Sequence, residues 1–168
     1  MEVANYLYLH SISATEWLEE SLPDEPSWRS EDTVKLAGIL AQHGVDFLDV
    51  STGGNSPAQK VRTGASRAYQ VPFAEAVKKA HGIDTPSGLF VGTVGGITNG
   101  TLAQEILDKG QADVVLVGRQ FQKEPATVWA FARELGVHIK VAHQIGWGFG
   151  LSQSGRGRDV FKEEHKEK

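Results

Sequence analysis

No cysteine occurs in the 168 residues, which excludes a disulfide framework, a thiolate metal site and a cysteine nucleophile. That absence fits a reducing compartment, and a cytoplasmic protein is expected. No stretch approaches the roughly 18 consecutive apolar residues of a membrane helix. The opening MEVANYLYLHS also lacks a charged segment followed by a long apolar run, so no targeting or membrane segment is expected. Nor is charge of one sign in excess, because 17 Lys and Arg stand against 21 Asp and Glu for a formal net charge of -4. The cations are scattered among carboxylates and form no basic stripe for nucleic acid or an anionic membrane. Small molecules are therefore the expected ligands.

What is present is a chain 40% hydrophobic, long enough to bury the core of one compact domain. Four apolar runs rich in β-branched residues, Tyr6 to Ile12, Asp46 to Ser51, Gly88 to Val94 and Asp113 to Val117, alternate with helical patterns. That order predicts an α/β fold with a parallel sheet. After the first run comes a loop with Pro23 and Pro26, then a helix with Ser30 as N-cap, Glu31 and Asp32 in its first turn, and Gly44 just past its end. Val34, Ala37, Leu40 and Ala41 share one face of it. The second unit has a long polar loop from Gly53 to Ala68 and a helix from near Pro72 to Gly82. A third helix starts at Thr98 or Asn99 and ends at Gly110. A fourth is read with Pro125 in its first turn and Gly136 after its last. Residues 1–150 are expected to form one domain. Residues 151–168 are polar and charged and are expected to be a disordered tail. Four βα units make either half of a (β/α)8 barrel or a small open sheet, and periodicity alone does not choose.

Two strand ends carry the sharpest chemical signal. In VGTVGGITNG (Val91 to Gly100) and ADVVLVGRQF (Ala112 to Phe121) an apolar strand runs into glycine. Glycine lets backbone N–H groups approach an anion with no Cβ in the way. Gly95, Gly96 and Gly118 would offer amides to a phosphate, and Arg119 charge-assisted hydrogen bonds. The plainer alternative is a pair of tight turns beside a solvated arginine.

Five blocks make the pattern specific: SISATEW, EDTVKLAGILAQHGVDFLDVSTGGN, YQVPFAEAVKKA, VGGITNGTLAQEIL and ADVVLVGRQFQKEP. In this order and spacing, over roughly residues 5 to 150, they resemble the second half of the old yellow enzymes, particularly the short, thermophilic-type ene-reductases. The resemblance implies the C-terminal half of a (β/α)8 barrel. It also implies FMN across the barrel mouth, reduced by NADPH or NADH and passing hydride to an activated alkene or quinone. The phosphate would lie at Gly95, Gly96, Gly118 and Arg119.

The departures matter as much. The family has an arginine on its fifth strand that pairs with the flavin pyrimidine edge. Here the chain reads LYLHSISATEW, which puts either Ser11 or His10 at that position. A shift of one residue reverses which side chains face inward. The family's alkene-activating His/His or His/Asn pair, its tyrosine proton donor and its flavin-tuning residue belong to the first four strands, which the resemblance does not reach. This chain alone is thus expected to turn over little or no alkene and to self-associate. The alternative function is a non-catalytic half-barrel that binds phosphate or flavin. His43 and His81 each precede a helix-ending glycine and read as helix-end residues, and His138, His143 and His165 show no metal-ligand spacing. Glu16 and Asp49, near strand ends, read as loop or capping carboxylates before general acids. Trp147, in QIGWGFG, resembles the family's C-terminal segment, which reaches a neighbouring subunit in related enzymes. Otherwise it packs on the chain's own barrel.

Overall fold

The computed structural model describes residues 6–61 and 67–149. The tail expected at 151–168 lies outside them. Strands β1 (Leu9–Ser13), β2 (Phe47–Ser51), β3 (Phe90–Val94) and β4 (Val114–Leu116) form one sheet in that order, and every neighbouring pair is parallel. Helices α1 (Ser30–Gln42), α2 (Val71–His81) and α3 (Gly100–Asp108) connect them. After β4 come α4 (Arg119–Lys123), α5 (Thr127–Leu135) and a 3-10 turn (His143–Phe149). Sequential parallel βα units of this kind are those of half a (β/α)8 barrel. No helix among the described residues is long and apolar enough to cross a membrane.

The two faces of the sheet follow strand alternation. Leu48 and Val50 of β2 and Val91 of β3 are fully buried with Ala37 of α1 and Ala74 and Val77 of α2. Ile12, in register with Val50, packs on the same cluster. The opposite face carries Phe47, Gly92 and Leu116. A Cβ on Gly92 would lie 2.5 Å from Phe47 Cζ and 3.0 Å from Leu116 Cδ1. Glycine there lets two large side chains from neighbouring strands meet over β3.

Several boundaries differ from the sequence reading by a residue or a turn. β1 begins at Leu9 rather than Tyr6. The N-cap of α1 is Arg29, not Ser30, because the Asp32 carboxylate turns back to accept the Arg29 amide at 3.2 Å. Pro125 precedes the N-cap of α5, Ala126, instead of entering the helix, and α4 intervenes before it. His43 and His81 do stand at the C-terminal ends of α1 and α2. The His81 ring lies so close to Gly38 that a Cβ there would be 2.7 Å from His81 Cε1. Trp147 is 82% exposed among the described residues.

Helix α5 holds the start of α3. The Glu134 carboxylate accepts the amides of Gly100 at 2.8 Å and Thr101 at 3.1 Å as well as the Thr101 hydroxyl. Asn99 Oδ1 accepts the Leu102 amide at 2.8 Å, so the first-turn donors of α3 are shared between a cap and a neighbouring helix. The Thr101 hydroxyl, then the two amides, hold the Glu134 carboxyl below its ordinary range, outweighing burial. A carboxyl lowered on folding stabilises the native state above its unfolded pKa of about 4.3. That contribution is lost as pH falls through the lower native value. Glu134→Gln should therefore flatten the loss of stability below about pH 4, measured as urea midpoints across the acid range. Identical acid limbs would contradict this role.

Candidate functional site

The loops after β3 and β4 open on one side of a cleft of about 510 Å3. Gly95, Gly96, Gly118 and Arg119 all line it. Gly95 and Gly96 have φ of +105° and +72°, in the region that side chains disfavour. Space is tight there as well. A Cβ on Gly95 would lie 2.4 Å from Gln70 Nε2, and one on Gly96 would lie 3.1 Å from the Ala68 amide nitrogen. Ala68 itself holds φ +62°, a strained value for a residue with a side chain. The segment leading into α2 is thus pressed against the glycine pair, and backbone forms this wall of the cleft.

The electrostatics are of one sign. Arg119 and Lys123, at the two ends of α4, both line the cleft, and no Asp or Glu does so. Among the described residues neither cation has a carboxylate partner. Gln70 is 4% exposed, and its Oε1 is buried with no hydrogen-bond partner. A buried unpaired carbonyl costs about 1–3 kcal/mol. Together these features could take an anion at the cations and amides, and a donor at Gln70. A second cleft of about 430 Å3, beside the start of α1, is mixed in charge, with Glu19, Glu20 and Glu31 among Arg29 and Lys60. No group of three His, Cys, Asp or Glu arranged for a metal ion occurs among the described residues.

Relatives align along most of the chain. It is 48% identical over 155 residues to an NADH:flavin oxidoreductase of Gibberella zeae, covering 90% of this chain and 35% of that one. It is 40% identical over 121 residues to an NADPH dehydrogenase of Geobacillus thermodenitrificans, covering 71% and 33%. An NADPH dehydrogenase of Listeria monocytogenes is 34% identical over 133 residues, covering 79% and 35%. The chain belongs to the old yellow enzyme family. It spans about a third of the length of these relatives. No protein-family model matches it.

Within this old yellow enzyme half-barrel, the cleft does not gather every residue singled out from the sequence. Neither His10 nor Ser11 lines it. Ser11 is in register with Asp49, and its hydroxyl donates to Asp49 Oδ2 at 2.8 Å. His10 is in register with Leu48, whose side chain is buried under the helices. The helix-facing side of β1 therefore carries His10 and the inward side carries Ser11. Sequence reasoning missed Lys123 and Gln70. The signal for Lys123 was its i,i+4 spacing from Arg119, obscured because α4 was not foreseen. Gln70 had no sequence signal, since its place depends on contact with Gly95 across the fold.

Proposed function

We propose that this half-barrel binds FMN, holding the phosphate in the cleft between the loops after β3 and β4. On this reading it belongs to an NAD(P)H-dependent flavin oxidoreductase that acts in the cytoplasm on an activated alkene or quinone. The observation that carries this reading is a cleft with two cations, a two-glycine backbone wall and no carboxylate. Amides at Gly95, Gly96 and Gly118 and the side chains of Arg119 and Lys123 would hold the phosphate. The orphaned Gln70 Oε1 fits a ligand that also brings hydroxyl donors, as the ribityl chain of FMN does. The bound flavin would supply the hydride-transfer chemistry, and the names of the relatives point to a nicotinamide as its reductant.

One observation favours a second reading, a flavin- or phosphate-binding module without turnover. The inward face of β1 offers the hydroxyl of Ser11, already committed to Asp49, and no cation to stabilise a reduced flavin. The two readings share the binding step and separate on catalysis. The chain should keep about one FMN per molecule after incubation and desalting, seen as flavin absorbance, and should not keep riboflavin, which lacks the phosphate. A colourless protein after FMN loading would reject flavin binding on either reading. NADPH oxidation driven by an added enone, measured on the same sample, distinguishes them, and little or none is expected.

A further inference from the structure

Backbone strain points to a residue outside the cleft. Among the described residues, Trp17 and Ala68 are the two that hold a positive φ without being glycine, at 55° and 62°. Such strain persists only where the surroundings over-determine it, and it clusters at functional sites. Ala68 stands in the cleft wall, against Gly96. Trp17 lies in the loop after β1 and does not line that cleft, yet it reaches the helix that does. Its ring meets that of Phe73 edge to face, with centroids 5.5 Å apart and planes at 86°. Phe73 stands in the first turn of α2, where its amide donates to the Gln70 carbonyl at 3.1 Å, and Gln70 lines the cleft.

Two hydrogen bonds pin the backbone of Trp17. Its amide donates to Thr15 Oγ1 at 3.4 Å, and its carbonyl accepts the Lys60 amide at 2.9 Å. The indole N–H, by contrast, is buried without an acceptor among the described residues, so hydrogen bonding does not account for the placement of the side chain. What the ring gains is the contact with Phe73. We propose that Trp17 is a positioning residue for the phosphate cleft, holding the first turn of α2, and with it Gln70 and Ala68, against the glycine pair. The inference rests on reading that cleft as the FMN phosphate site.

The arrangement is a balance of opposed terms. Strain at Trp17 and Ala68 disfavours the closed wall, while the aromatic contact and its burial favour it. Losing the ring contact therefore lowers the fraction of molecules with the wall in place, and the apparent Kd rises by the same factor. The worth of one edge-to-face pair converts to roughly 2- to 12-fold.

FMN titrations followed by flavin fluorescence, paired with amide hydrogen exchange on the ligand-free protein, test this on the whole chain. Trp17→Ala should raise the FMN Kd by roughly 2- to 12-fold with unchanged far-ultraviolet circular dichroism. It should also speed exchange at the Val71 and Phe73 amides, which donate to the carbonyls of Ala68 and Gln70. Phe73→Leu keeps apolar bulk on α2 but removes the partner ring, and should do the same even where Trp17→Ala fails to fold. Trp17→Phe retains a ring for the contact and should restore both readouts. In a Gln70→Ala background Trp17→Ala should add less than it does alone, because the two changes share one effect. Wild-type FMN affinity in both ring variants, exchange unchanged by either, no rescue by Trp17→Phe, or full additivity with Gln70→Ala would overturn the inference and leave the FMN site standing. A wild-type protein that binds no FMN would instead remove the FMN reading itself, and this inference with it.

Discussion

Asp113→Ala is expected to lower stability by about 3–5 kcal/mol, the cost of removing one member of a buried ion pair. Asp113 stands just before β4. Its Oδ1 accepts Lys78 Nζ at 2.7 Å and its Oδ2 accepts the Val91 amide at 2.9 Å. The two side chains are only 16% and 11% exposed. Lys78 Nζ also donates to the Ala112 carbonyl at 3.3 Å. One carboxylate thus ties α2, β3 and the entry to β4 together. Its removal strands an ammonium and a backbone N–H away from water. Against a total stability of about 5–15 kcal/mol the loss is large, and it would loosen the strand that leads directly into Gly118 and Arg119. Asp113→Asn keeps an acceptor for Val91 without the charge and should lose less. Urea unfolding followed by circular dichroism measures both. A loss under about 1 kcal/mol for Asp113→Ala would mark the pair as a solvated surface contact.

Leu48→Ala should cost about 2–5 kcal/mol. Leu48 is fully buried on the helix-facing side of β2, in one cluster with Val50, Val77, Leu89 and Val91 and the small residues Ala37 and Ala74. The alanines bring α1 and α2 close to the sheet and leave few long side chains able to swing into the space. The cavity should therefore stay largely open and the loss fall in the upper half of that range. The same urea experiment reads it, with an unchanged denaturant slope expected if the native and unfolded states keep their extents. A change below about 1 kcal/mol would mean that the sheet's helix-facing side does not pack as described.

Much of the fold was legible because local chemistry and tertiary position agree. Gly44, Gly110 and Gly136, read as helix stops, have φ of +87°, +65° and +65°, and Asn99 caps α3 through its side chain. The errors fall where a tertiary contact decides. Asp32 moves the cap of α1 to Arg29. Tyr6 to Tyr8 look like strand by composition, yet the ladder to β2 begins where Leu9 meets Phe47. RQFQK is too short to show helical periodicity, so α4 and with it Lys123 were invisible. The strand-end glycines and Arg119 could be read from the sequence because each lies at the end of an apolar run. The choice between His10 and Ser11 could not, because one residue of register reverses the faces of a strand. Pairing with Leu48 and Asp49 separates them.

The central claim is that the cleft between the loops after β3 and β4 holds the phosphate of FMN. The most direct test titrates FMN and riboflavin against the wild type and Arg119→Ala, each followed by quenching of flavin fluorescence. Arg119 is exposed and forms no ion pair among the described residues, so its loss should leave the fold intact. Losing a charge-assisted hydrogen bond to phosphate costs about 1.5–3 kcal/mol, which is roughly a 10- to 150-fold rise in Kd. The account predicts that rise for FMN, with riboflavin binding weakly and equally to both proteins. Equal FMN affinity in the two proteins, or riboflavin bound as tightly as FMN, would contradict it.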